Sequence, residues 1–221
     1  MKTSISTFAI AILCLFGYSF TPNVTPQWTQ AKAADGIMVY TRMSEGSPFK
    51  EIKATLTLDC SISTLVGVLT DYENYKNWIY STSHSQTLSK ISNTEFTMYQ
   101  IVKTPWPLDN RDVCLKVKVA QDPKTFFTTV HSHAEPSLKG IVAGLVRVRT
   151  NTGSWEITPI AKNKVNCTYF LKTDPGGAVP AWILNMFISE GPYESLKKLK
   201  SVEVKKAKYI SHANPAIKEK Y

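Results

Sequence analysis

Two stretches rich in proline and glycine punctuate the second half of this chain and limit what it can fold into. Thr104 to Asp112 reads Thr-Pro-Trp-Pro-Leu-Asp-Asn-Arg-Asp, and Asp174 to Trp182 reads Asp-Pro-Gly-Gly-Ala-Val-Pro-Ala-Trp. Proline removes a backbone donor, so each stretch ends one element and begins another. The first feeds 111–120, where Val113, Leu115, Val117 and Val119 alternate with Asp112, Cys114, Lys116, Lys118 and Ala120. That period is a strand whose inward face is apolar beyond its first residue, Arg111. The second feeds apolar residues at helical spacing: Ala178, Trp182, Ile183, Met186, Phe187, Leu196 and Leu199. Pro180 suits a first helical turn. A helix over 180–209 is predicted, with a kink or a new start at Gly191-Pro192.

The rest of the chain reads as an antiparallel sheet. Ile52, Ala54, Leu56 and Leu58 alternate with Glu51, Lys53, Thr55 and Thr57 over 49–58, a half-buried strand. Further strands are predicted over 37–42, 84–89, 95–103, 111–120, 125–133, 147–160 and 164–172, separated by turn-prone pairs such as Ser92-Asn93 and Asp122-Pro123. Residues 23–34 are expected to form a short opening helix anchored by Trp28. Ser61 or Ser63 caps a helix running to about 72, and 75–80 forms a second short one carrying Trp78. The fold class is α+β: a curved antiparallel sheet wrapped around a long C-terminal helix.

Lys2, the apolar run 8–16, and the small residues Gly17 and Ser19 before Phe20 form a secretory signal pattern over 1–19. The expected location is therefore outside the cytoplasm, periplasmic or secreted. Residues 20–210 then make one domain, followed by a basic tail over 211–221. Cys60, Cys114 and Cys167 are widely spaced and sit in or beside strands, which favours buried free thiols over a zinc site. The formal charge is +9, and eight lysines lie from Lys197 onward. These can be a solvated helix face or a surface that meets anionic lipid headgroups. Nucleic acid is a poorer partner, because stacking aromatics do not interleave with the basic residues.

Chemistry-bearing residues are sparse. His131 and His133 share one strand face, with Glu135 the only nearby acid, and are expected to be exposed on a strand edge rather than to bind a metal. The chain has no glycine-rich phosphate loop and no nucleophile elbow. Gln100 and Thr128 are the polar residues that strand parity turns inward. No cofactor is expected.

Read in order, several short motifs resemble the START (steroidogenic-acute-regulatory-related lipid-transfer) domain family. They are Asp35-Gly36-Ile37-Met38-Val39-Tyr40-Thr41-Arg42, the Asp71…Trp78 helix pair, Pro105-Trp106-Pro107…Asn110-Arg111-Asp112, Val146-Arg147…Trp155, and Asp174-Pro175-Gly176-Gly177…Pro180-Ala181-Trp182. The resemblance implies a helix-grip fold, with a hydrophobic tunnel under a C-terminal helical lid and a single lipid as the bound partner. It implies no enzymatic activity; the alternatives are a helix-grip cyclase or hydrolase, or a sensing module without a cavity. Sterol-carrying members often place an acidic and a basic side chain inside the tunnel. Those positions fall near Met98 and Val117, both apolar here, so the interior is expected to be apolar throughout and a sterol is not the default guest.

The expected ligand-binding residues are Trp78, Met98, Gln100, Trp106, Arg111, Val113, Leu115, Val117, Thr128, Trp182, Met186 and Phe187. Trp106 either inserts into a membrane or closes the mouth, or else packs between its two prolines under the sheet. Arg111 and Asp112 either reach the ligand headgroup or fix a loop. Trp182, Met186 and Phe187 either touch an acyl chain or fill a solid core. A monomer is expected.

Overall fold

A computed structural model describes residues 26–211 and 214–221, without the side chains of Met186, Phe187 and Ser211. The predicted signal segment lies outside the described residues. In chain order the strands are β1 (Thr29–Ala34), β2 (Ile37–Met43), β3 (Lys50–Leu58), β4 (Thr82–Lys90), β5 (Glu95–Val102), β6 (Asn110–Gln121), β7 (Thr128–Ala134), β8 (Leu145–Arg147), β9 (Thr150–Ala161) and β10 (Lys164–Asp174). The helices are α1 (Ile62–Leu69), α2 (Tyr75–Trp78), α3 (Ala181–Phe187), α4 (Glu190–Ser201) and α5 (Ala207–Ser211). The strands form one sheet in the order β1-β2-β3-β10-β9-β7-β6-β5-β4, antiparallel throughout, with β8 added parallel to β6.

The sheet follows from its alternation. Ile52, Ala54, Leu56 and Leu58 are all buried on the concave side of β3, and Val113, Leu115, Val117 and Val119 do the same on β6. A one-residue slip would turn each set to solvent, so these patterns fix the register, for example Met98 opposite Leu115 and Tyr169 opposite Trp155. Where β9 passes β7, a Cβ at Gly153 would lie 2.6 Å from the Ser132 hydroxyl, so a side chain there would force Ser132 to shift.

The opening segment departs from the helix expected over 23–34. Its alanines, Gln30 and Lys32 are good helix formers, but Asp35 (φ 54°) and Gly36 (φ 70°) form a tight turn that folds β1 back on β2, pairing Ala34 with Ile37. Hairpin chemistry outweighs local propensity here. The strand expected over 147–160 is also interrupted. Val148 donates its backbone N–H to the Asp112 carbonyl, and only from Thr150 does the chain run as β9.

Ser61 caps α1 by accepting from the Thr64 N–H, and seven of its eight residues are buried. The C-terminal helical segment crosses the concave face in pieces. Between α3 and α4, Ile188 and Ser189 keep helical dihedrals, and Gly191-Pro192 fall in the first turn of α4. Pro192 cannot donate to the carbonyl four residues earlier, and its ring crowds that carbonyl, so the helix breaks there as expected. Tyr193, Leu196 and Leu199 turn inward from α4. Beyond Ser201 the chain forms a short 3-10 turn and then α5 rather than continuing the helix to 209.

The last residues strap one pole of the domain. The Glu219 carboxylate accepts from the Ser63 N–H and hydroxyl at the start of α1, Asn214 donates to the Asn93 carbonyl, and Lys218 and Gln121 exchange bonds. Buried Glu203 accepts from Asn74, which also bonds the Tyr209 hydroxyl. Lys197 pairs with Asp35, Lys200 donates to the Asp35 carbonyl, Lys206 pairs with Glu203 and Lys208 with Asp71. Half of the expected basic surface is thus tied to neighbouring groups. Cys60, Cys114 and Cys167 are buried free thiols. His131 and His133 are exposed, but on an interior strand of the sheet rather than at its edge.

Candidate functional site

Between the concave sheet face and α4 lies a cavity of about 370 Å³. Its walls come from alternate residues of the strands: Met98, Gln100 and Val102 on β5, Arg111, Val113 and Leu115 on β6, Trp155 on β9, and Tyr169 and Leu171 on β10. Tyr75, Trp78 and Ile79 close it from α2, and Leu184, Pro192 and Leu196 from the C-terminal helices. It extends to the end of the sheet where the β5–β6 and β10–α3 loops meet, at Thr104, Thr173 and Pro175. The strapped pole, with Asn93 and Gln121, is at the opposite end of the same strands.

Six of the expected ligand-binding residues line this space: Trp78, Met98, Gln100, Arg111, Val113 and Leu115. Val117 and Thr128 do not. Val117 pairs with Phe96, one step nearer the strapped pole, where the core is solid, and it does not face Met98. Thr128 is fully buried and its hydroxyl donates to the Phe126 carbonyl. Trp106 neither lines the cavity nor packs under the sheet; it is 93% exposed in the β5–β6 loop. Trp182 is 65% exposed on the first turn of α3, outside both cavity and core. Met186 and Phe187 lie in α3, and their side chains fall outside the described ones.

The interior is not apolar throughout. Gln100, Thr104, Ser132, Asn151 and Thr173 reach it, and so does Arg111, the only charged side chain among the described lining residues. Arg111 is 5% exposed. Its Nη1 donates to the Asp109 carbonyl and to Thr104 Oγ1 (3.3 Å), while Nη2 makes one long bond to the Gly176 carbonyl (3.4 Å). Nε has no partner. Burial disfavours the charged form and pulls the Arg111 pKa below its ordinary value, against the opposing pull of Asp109. Trp78 Nε1 is a second buried donor without a partner in the lining.

The residue after Arg111 does something quite different. Asp112 points to the convex side, where the segment 135–148 covers it. Its Oδ1 and Oδ2 accept from Arg147 Nε and Nη2, both at 2.8 Å, and Oδ2 also accepts from the Tyr99 hydroxyl at 3.0 Å. The remaining Arg147 donors go to the carbonyls of Pro136, Lys139 and Gly140. Burial raises the Asp112 pKa, but the bonds from Arg147 and Tyr99 outweigh it and leave the carboxyl below its ordinary value. Arg147, missed as a fixing residue from sequence, thus holds the loop before β8, and Asp112 is a structural group rather than a headgroup contact.

The START domain profile matches residues 25–206, most of the chain. The chain belongs to the START domain family. It is 29% identical over 181 residues to an uncharacterized protein of Pseudomonas aeruginosa, covering 81% of this chain and 88% of that one. It is 28% identical over 179 residues to human phosphatidylcholine transfer protein, covering 78% and 81%. Among solved structures, a STAR-related lipid transfer protein fragment from Xanthomonas axonopodis superposes with a TM-score of 0.73 at 33% identity, over 79% of this chain and 97% of that one. Human StAR-related lipid transfer protein 5 shares the fold at a TM-score of 0.70 and 16% identity, over 80% and 86%. The family and these relatives support lipid binding or transfer as the general function of this START domain.

Proposed function

We propose that this START domain is a non-catalytic carrier that holds one lipid in the cavity between the sheet and the C-terminal helical segment. The observation that carries the reading is the cavity itself, an apolar space where the same side chains could have met as a solid core. Its volume falls in the range of small-molecule sites, ~300–1,000 Å³. Burial of an apolar guest would contribute about 25 cal/mol for each Å² removed from water. A single charged side chain among the described lining residues offers no acid–base pair, which favours a carrier over an enzyme.

In this reading α3 is the gate. It turns on the break at Ile188–Ser189 and is tied to the β2–β3 loop by Asn185, which accepts from the Lys50 N–H (3.0 Å) and donates to the Pro48 carbonyl (3.2 Å). Exposed Trp106, Ile141 and Trp182 surround that same loop end. They are the groups that would meet a membrane during exchange, in place of the lysine-rich C-terminal end. An exported location, from the 1–19 pattern, would put this exchange outside the cytoplasm.

Native mass spectrometry of the purified protein, followed by organic extraction, tests the reading. A one-to-one lipid adduct is expected. A protein that stays empty after challenge with mixed-lipid vesicles would overturn it.

A further inference from the structure

Among the described lining residues the single charge, on Arg111, meets no carboxylate at ion-pair distance. A buried guanidinium without a carboxylate partner is costly unless something completes it. Arg111 on β6 and Arg147 on the neighbouring β8 make the comparison within one molecule. Arg147 presents its Nε–Nη2 edge to Asp112, which fills it with two bonds of 2.8 Å. On Arg111 the same edge has an unpartnered Nε and an Nη2 held only by a 3.4 Å bond to the Gly176 carbonyl. The loop-fixing work is done from the other side, by Nη1. Glycines at 176 and 177 put no side chain beside Nη2. The partner that completes a guanidinium left in this state is a pair of acceptor oxygens, as carboxylate and phosphate supply.

We propose that the cavity selects an amphiphile with an oxyanion head, carboxylate or phosphate, held by the Arg111 guanidinium. This rests on the lipid-binding reading above and narrows it. The Asp174–Pro180 loop yields the Gly176 contact to the head, and Thr104 continues to hold Nη1. The absence of any carboxylate among the described lining residues disfavours a cationic head.

The test uses four probes with the same twelve-carbon tail: laurate, dodecyl phosphate, dodecanol and dodecyltrimethylammonium. Each is titrated below its aggregation limit into delipidated full-length protein, with tryptophan emission as the readout, since Trp78 and Trp155 line the cavity. The expected result is that the two anions bind at least about tenfold more tightly than dodecanol, as a charge-assisted pair of bonds implies. The ammonium should bind most weakly. The tighter of the two anions identifies the head. In Arg111→Gln the advantage of the anions over dodecanol should disappear. Dodecanol binding as tightly as the anions would overturn the inference and leave the carrier reading standing, as would an anion advantage that survives in Arg111→Gln. Failure of all four probes to bind would count against both. If Arg111→Gln does not fold, the ranking on the unmodified protein decides.

Discussion

Arg111 and Asp112 are consecutive residues whose side chains leave β6 on opposite faces, one into the cavity wall and the other onto Arg147 at 2.8 Å. A strand's period of two divides the Arg-Asp motif into a ligand-facing half and a structural half. The two halves should respond differently to substitution.

Asp112→Asn leaves the Arg147 guanidinium buried and short of its charge partner. Breaking one side of a buried ion pair costs about 3–5 kcal/mol. Urea unfolding should show that loss as a lower midpoint. The anion preference of the folded protein should remain, because Asp112 does not touch the cavity.

The same pair predicts an acid sensitivity with a defined sign. The folded carboxyl has a depressed pKa, so the unfolded chain binds its proton first as the pH falls. The stabilisation is complete above the ordinary carboxylate range and is lost as pH falls through the folded value, over about pH 5 to 1. Stability measured against pH should therefore fall less steeply on the acid side in Asp112→Asn than in the parent protein.

Cavity wall and solid core should also separate. Leu199 is fully buried where α4 meets the sheet, and Leu199→Ala should cost about 2–5 kcal/mol. Val113→Phe adds volume on a side that is empty. It should change unfolding free energy by under about 1.5 kcal/mol, since the usual overpacking strain does not arise. It should nonetheless reduce lipid occupancy in native mass spectra.

Asn185→Ala removes both bonds that tie α3 to the β2–β3 loop. Each such bond contributes about 0.5–1.5 kcal/mol. Stopped-flow measurements should show faster uptake and release of a fluorescent fatty acid, with equilibrium affinity changed much less than either rate.

Much of this was legible in the residues. The alternation over β3 and β6 gave both the faces and the inward position of Arg111, and Gly191-Pro192 marked the break before α4. The β1–β2 hairpin was legible too, in Asp35-Gly36, but the helix-forming residues before it misled. Other features depend on contacts distant in sequence. Nothing near Asp112 announces that Arg147 will cover it, since the two meet only when β8 lies alongside β6. The pattern of β6 likewise does not say where cavity gives way to core. Leu115 lines the space and Val117 does not, because Val117 lies opposite Phe96 in the packed end of the domain.

The strap formed by Asn214, Lys218 and Glu219 has a consequence for the direction of traffic. It lies at the pole farthest from Arg111, beyond the packed core around Phe96 and Val117, so in the proposed carrier the guest's way in and out is at the Arg111 end. A guest held by its head at Arg111 would then enter tail first and depart head first. An anionic head would be the first part of the cargo to reach a receiving surface and the last to leave a donating one.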